Sequence, residues 1–246
     1  MRDVLRPTAG VPLAPVQRSM SLAPLVQARN GHPDRPPWSA IFAKGFGLVA
    51  EETDQLRQTY LTFPFPRLYQ YDHSVAIIAV ERFNAGEYAI FPLMIGHPAQ
   101  FAITDIAARI RQAQTYDIKR ISEFRRALRL AALPFPIRKL AIWTCLNAGR
   151  YRARFFGTFA LSTVTSLEAE LPTLIWPVGA GLTYGLISPD GAVDVRIIFD
   201  HRITDAAVIA RALARLEATL NGPVADELRQ TTLWMSSHMP AANPCH

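Results

Sequence analysis

The stretch Val193-Asp194-Val195-Arg196-Ile197-Ile198-Phe199-Asp200-His201-Arg202-Ile203-Thr204-Asp205-Ala206 decides how this chain is read. Its first eight residues have the composition of a β-strand, and the strand ends on His201. Asp205 then opens a helix that runs to Asn221-Gly222-Pro223, where Asn-Gly and the following proline stop it. A strand end emerging from a packed sheet can hold an imidazole rigidly in a crevice. An imidazole titrating near neutrality suits removal of a proton from a thiol or hydroxyl. Asp205 can fix the turn by capping the helix, or it can pair with a cation. Spacing alone favours the plainer reading, a strand-terminal histidine followed by a helix cap.

Upstream of this unit, helices and strands alternate without a regular βα repeat. Trp38, Ile41, Phe42, Gly45, Phe46, Val49 and Leu56 recur at helical steps. Residues 75–80 and 88–95 read as strands joined by a turn containing Asn84 and Gly86, and Pro92 marks an edge or a bulge. Thr104 is the expected N-cap of a helix reaching Gln114, and Ile118, Ile121, Phe124, Leu128 and Ala131 line one face of another. Short strands are expected at 140–144 and 155–161, with a further one within 177–186, followed by the turn Ser188-Pro189-Asp190-Gly191. This order implies an α/β chain of α+β type built on a mixed sheet. Residues 1–37 hold seven of the nineteen prolines and read as an extended arm. Residues 38–222 read as the folded domain and 223–246 as a tail.

Composition narrows the function classes. Half of the 246 residues are hydrophobic and 19% are charged, which excludes a disordered or fibrous chain. No apolar run reaches the roughly 18–20 residues of a membrane span, and the N-terminus lacks the apolar block of a secretory signal. Cys145 and Cys245 have no metal-ligand spacing and are too few for a disulfide framework. A cytoplasmic protein without a metal or a membrane partner is expected. The net charge is +6, and residues 119–154 carry ten basic residues against the single acid Glu123. That segment reads first as a solvated basic face, second as a site for the phosphates of a small anionic cofactor. No nucleic-acid-binding motif accompanies it. Among the other histidines, His32, His238 and His246 fall in proline-rich or terminal segments, and neither His73 nor His97 has a partner at a recognisable spacing.

Two motifs together change the weight given to His201. Gly157-Thr158-Phe159-Ala160-Leu161-Ser162 precedes the stretch quoted above, and a helix of Ala-Arg-Ala-Leu type follows it. Over residues 155–220 the chain resembles the catalytic domain of the 2-oxoacid dehydrogenase dihydrolipoyl acyltransferases, in the superfamily of chloramphenicol acetyltransferase. That family has a Gly-Thr-Phe-Thr-Ile-Ser strand, then a Ser-Phe-Asp-His-Arg-x-x-Asp-Gly turn, then a helix. The resemblance implies the mixed-sheet fold of these enzymes and transfer of an acyl group between a coenzyme A thioester and a thiol, hydroxyl or amine acceptor. It implies that His201 is the general base, that Ser162 donates to the tetrahedral oxyanion, and that Asp205 holds the histidine loop in shape. It also implies a homotrimer in which His201 of one chain faces Ser162 of the next. Arginines of the basic segment could hold coenzyme A phosphates, with no one of them singled out.

The chain departs from the family at Ala206, where a glycine is usual, and at Ser162-Thr163-Val164-Thr165, where Ser-Asn-Leu-Gly is usual. It carries no lipoyl attachment domain or peripheral-subunit-binding domain, so a free-standing catalytic domain is expected. The acceptor is then a small molecule or a lipoyl group on another chain. The departures also leave open a non-catalytic relative that keeps the fold for assembly.

Overall fold

Burial alternates along residues 192–200 so that Val193, Val195, Ile197 and Phe199 point into one hydrophobic core. In a computed structural model, which describes residues 10–84, 86–163, 169 and 171–238, this segment is one strand of a six-stranded mixed sheet. The strands are β1 (Leu13–Ser21), β4 (Val75–Asn84), β5 (Glu87–Gly96), β6 (Phe159–Leu161), β7 (Ala180–Tyr184) and β8 (Ala192–Asp200), in the order β1-β8-β7-β6-β4-β5. Pairing is antiparallel at β1/β8, β7/β8 and β4/β5, and parallel at β4/β6 and β6/β7. A separate hairpin joins β2 (Gln58–Leu61) to β3 (Arg67–Gln70).

The apolar side chains of one sheet face pack against helices. Helix α2 (Trp38–Glu52) is apolar nearly all round and therefore buried, with Phe42 stacked on Tyr184 at 4.2 Å and Phe46 against Phe159 at 4.6 Å. Its Lys44 is buried and donates to Ala99 and Phe101 carbonyls at 2.8 Å each, with Glu227 at 3.5 Å. Helices α3 (Ile103–Thr115) and α7 (Ala206–Thr219) pack into the same core. On the opposite face, Ile77, Ala160 and Val178 form a much smaller cluster with Leu174 and Trp176. Among the described residues, no helix is long and apolar enough to cross a membrane.

Several expectations are corrected. The proline-rich arm contains β1, which pairs with β8 over nine residues, and helix α1 (Ala23–Gly31). Pro15 sits in an edge strand and Pro24 in the first helical turn, two places where a missing N–H costs little. The expected strand at 140–144 lies inside helix α5 (Phe135–Asn147), whose first turn carries Pro136. Residues 149–156 form helix α6 (Gly149–Phe156), so only the end of the expected 155–161 strand survives, as β6. Thr104 does not cap α3. The Ile103 N–H instead donates to the Glu227 carboxylate at 2.6 Å, from the far end of the chain.

The presumed tail is also structured. Beyond α7 the chain kinks at Gly222 and continues as α8 (Ala225–His238), burying Val224, Ala225 and Leu228 in the main core. Residues 239–246, with Cys245 and His246, lie outside the described residues, as does the N-terminus through residue 9. The edge position of Pro92 is as expected, because β5 ends the sheet. The helix expected from Ile118 is a short turn followed by α4 (Ser122–Ala132), with Phe124 buried and Arg125, Arg126 and Arg129 exposed.

Candidate functional site

The end of β8 is held on both sides. The His201 N–H donates to the Pro12 carbonyl at 2.9 Å, extending the β1/β8 pairing by one step. The Ile203 N–H returns to the Asp200 carbonyl at 2.9 Å and closes the turn. Asp205 Oδ1 accepts from the N–H groups of Ala207 at 2.9 Å and Val208 at 3.1 Å, so its side chain caps α7. Between these anchors the His201 side chain is exposed, its ring 5.4 Å from Phe199.

The neighbours of His201 point the other way, as strand alternation requires. Asp200 is 3% exposed. Its carboxylate accepts from Arg202 Nε at 2.9 Å, from Nη2 at 2.6 Å and from the Arg202 N–H at 3.0 Å. The bond to this carboxylate raises the Arg202 guanidinium above its usual pKa, and the guanidinium lies 4.3 Å over the Tyr60 ring. Asp200 and Arg202 were not singled out from sequence. The alternation Asp-His-Arg at a strand end is the signal that could have found them.

Ser162 follows β6, its N–H donating to the Leu182 carbonyl at 3.3 Å. The strand is positioned by Gly157 and Thr158. Gly157 has φ +73, and a Cβ there would sit 3.0 Å from the Val75 carbonyl. Thr158 exchanges backbone and hydroxyl bonds with Val75. Ser162 borders a small apolar recess of about 30 Å³ between Ile90, Pro92, Leu174 and Trp176. Thr163 is described and donates to the Tyr184 carbonyl at 3.3 Å, whereas Val164 and Thr165 lie outside the described residues.

One chain does not bring His201 and Ser162 together. Leu161 is level with Leu182 on β7 and Ile197 on β8, so Ser162 is level with Arg196, five residues short of His201. Five strand residues and two inter-strand steps separate the two Cα positions by about 19 Å.

A cavity of about 230 Å³ lies beside the His201 turn, lined by Val11, Leu13, Asp200 and Arg202 together with side chains of the β2 segment, α5, α6 and residues 176–178. His201 does not line it. At the same end of the sheet, His73 and His97 stack at 3.9 Å, and burial followed by the neighbouring ring holds His73 below the usual histidine pKa. His32 is buried, with Nδ1 accepting from the Asp34 N–H at 3.2 Å. Burial pushes the Cys145 thiol up, away from thiolate character. Among the described residues no group of three or more metal-ligating side chains occurs.

No protein-family model and no curated protein matches the chain. Solved structures do. The cubic core of a pyruvate dehydrogenase multienzyme complex matches with TM-score 0.65 and 15% identity over 91% of this chain and 87% of that one. A dihydrolipoamide acetyltransferase of Azotobacter vinelandii, studied for the roles of a serine, a histidine and an asparagine in its mechanism, matches with TM-score 0.63 and 16% identity over 91% and 87%. A truncated catalytic core of the 2-oxoacid dehydrogenase complex of Thermoplasma acidophilum gives 0.58 and 17% over 90% and 92%. With a mixed sheet, one helical layer and these neighbours, the chain has the fold of the catalytic cores of 2-oxoacid dehydrogenase dihydrolipoamide acyltransferases.

Proposed function

We propose that the protein is a coenzyme A-dependent acyltransferase that works as a homotrimer, with each active site formed between two chains. The observation that carries this reading is the His201 turn. An exposed imidazole is held at a strand end by the Pro12 carbonyl and the Asp205 cap, in a fold shared with acyltransferase cores. In the Azotobacter enzyme the asparagine studied lies four residues beyond the histidine, the offset of Asp205 from His201 here. The cubic assembly of one neighbour has threefold axes, which supports a trimeric unit.

In this mechanism the acceptor X–H gives its proton to the His201 imidazole as X attacks the thioester carbonyl carbon. The carbonyl electron pair moves to oxygen. The Ser162 hydroxyl of the adjacent chain donates a hydrogen bond to that oxyanion, a contact worth about 3–4 kcal/mol in the transition state. Collapse expels the coenzyme A thiolate, which recovers the proton from the imidazolium. No acyl-enzyme forms. Asp205 acts through the backbone, by fixing the turn that carries His201. The exposed arginines of α4 are available to the phosphates of the donor.

The test is steady-state turnover over a panel of acyl-coenzyme A donors and thiol, hydroxyl and amine acceptors, read by free-thiol release. His201→Ala is expected to lower turnover by roughly a hundred- to ten-thousand-fold. Its affinity for coenzyme A should be almost unchanged, because the imidazole acts at the thioester. Full turnover in a folded His201→Ala variant would reject the mechanism.

A further inference from the structure

The cavity beside the His201 turn has aromatic walls and unbalanced charge. Three cations, Lys139, Arg152 and Arg202, face it against one carboxylate, Asp200. That carboxylate is already committed to Arg202 through paired hydrogen bonds. Arg152 reaches in from α6 and is oriented by carbonyls alone, donating from Nε to Pro177 at 3.2 Å and from Nη1 to Tyr60 at 3.0 Å and Leu146 at 3.4 Å. Among the described residues neither Nη2 of Arg152 nor the Lys139 ammonium has a hydrogen-bond or ion-pair partner. Burial pushes the Arg152 guanidinium below its usual pKa, the mark of a charge taken from water without full compensation. Trp143, Trp176 and Ile142 supply apolar surface to the same cavity.

We propose that this cavity binds a small organic anion with an apolar body, an aryl or short-chain alkyl carboxylate, its anionic end on Arg152 and Lys139 and its body against Trp143, Trp176 and Ile142. The volume of about 230 Å³ exceeds the roughly 150 Å³ that accommodates benzene in an apolar cavity, which suits a ring with a short tail. A guanidinium fixed by backbone carbonyls is pre-organised for a carboxylate and loses little freedom on binding. The cavity lies one residue from the proposed base on either side, at Asp200 and Arg202, on the side of the strand away from the His201 ring, so the anion is held as a ligand and not as a reacting group. The binding therefore does not rest on the acyltransferase reading.

The experiment is a titration of intrinsic tryptophan fluorescence, since Trp143 and Trp176 both line the cavity. The probes are phenylpropionate, its neutral amide phenylpropionamide and its cationic relative phenylpropylamine, applied to the wild-type protein and to His201→Ala. Saturable binding of phenylpropionate is expected in both proteins, about tenfold tighter than the amide, with the amine weakest. Lys139→Glu, on the exposed rim, is expected to erase the preference for the anion while leaving amide binding and melting temperature in place. Trp143→Ala should weaken all three probes. Absence of saturable binding, equal affinity for acid and amide, or an anion preference that survives Lys139→Glu overturns the proposal. Displacement of phenylpropionate by adenosine 3′,5′-bisphosphate also overturns it, by assigning the cations to donor phosphates. Binding in a protein that transfers no acyl group would sink the catalytic reading and leave the cavity assignment standing.

Discussion

Mixing two inactive variants tests whether the active site crosses between chains. The register of β6, β7 and β8 keeps Ser162 and His201 of one chain about 19 Å apart, far beyond a shared hydrogen-bonded substrate carbonyl, and closing that gap would unzip the centre of the sheet. His201→Ala and Ser162→Ala are each expected to be nearly inactive as homomers. In a random equal mixture, a given site draws its histidine from an intact chain with probability one half and its serine from an intact neighbour with probability one half. About one quarter of all sites should therefore be active before sorting, and about one third in purified mixed trimers, where one of the three interfaces pairs an intact histidine with an intact serine. The assay is co-expression with two affinity tags, sequential purification of mixed oligomers and thiol-release turnover. Sedimentation of the same sample reports the number of chains. Mixed oligomers that stay at the residual activity of the parents would refute the inter-chain site, and an active monomer at micromolar concentration would refute the assembly.

Two further outcomes follow from the geometry of the helix and strand ends. Asp205→Ala removes two cap bonds to α7 and is expected to cost about 0.5–2 kcal/mol in urea denaturation, whereas Asp205→Asn, which keeps an accepting oxygen, should stay within about half a kilocalorie. The Glu217 carboxyl is pushed up by desolvation, but this is outweighed by the Ser21 N–H at 2.9 Å and Arg18 at 2.8 Å, which leave it below the usual glutamate pKa. Its contribution to stability is present above the unfolded-state value and is lost as pH falls through the lower folded value. Glu217→Gln should accordingly flatten the acid limb of stability against pH, measured by chemical denaturation, and a limb of unchanged steepness would exclude this carboxylate as a cause.

What could be read from sequence was local. The β8 strand, His201, the Asp205 cap and α7 form one continuous segment, so strand composition, cap chemistry and helix period all speak for the same arrangement. Elements whose identity depends on distant partners were misread. Pro15 breaks a helix but not an edge strand, and that it lies on an edge is settled by β8, far along the chain. The apolar run at 140–144 has no period that separates a strand from a helix, and Pro134 and Pro136 stand at the start of α5, where proline is compatible with a helix. Thr104 has the right chemistry for a cap, yet the Glu227 carboxylate on α8 takes the α3 N-terminus. The cavity was illegible for the same reason: Tyr60, Lys139, Arg152, Trp176 and Arg202 meet only after β2, α5, α6 and β8 are placed.

The segment that reads from sequence as an extended arm is what anchors the His201 turn. Pro12 supplies the carbonyl that holds the His201 backbone, and Val11 and Leu13 on either side of it line the cavity. Pleating at the β8 end turns His201 toward the Phe199 side and Asp200 and Arg202 toward the cavity, so one backbone position separates the proposed base from the proposed anion pocket. A rigid link of this kind aligns two functions only if the strand end cannot fray. Nine residues of β1 pairing, the Arg18–Glu217 contact to α7 and the Asp205 cap constrain it from three directions. The position of the proposed base therefore depends on the N-terminal strand as directly as on the motif that carries the histidine.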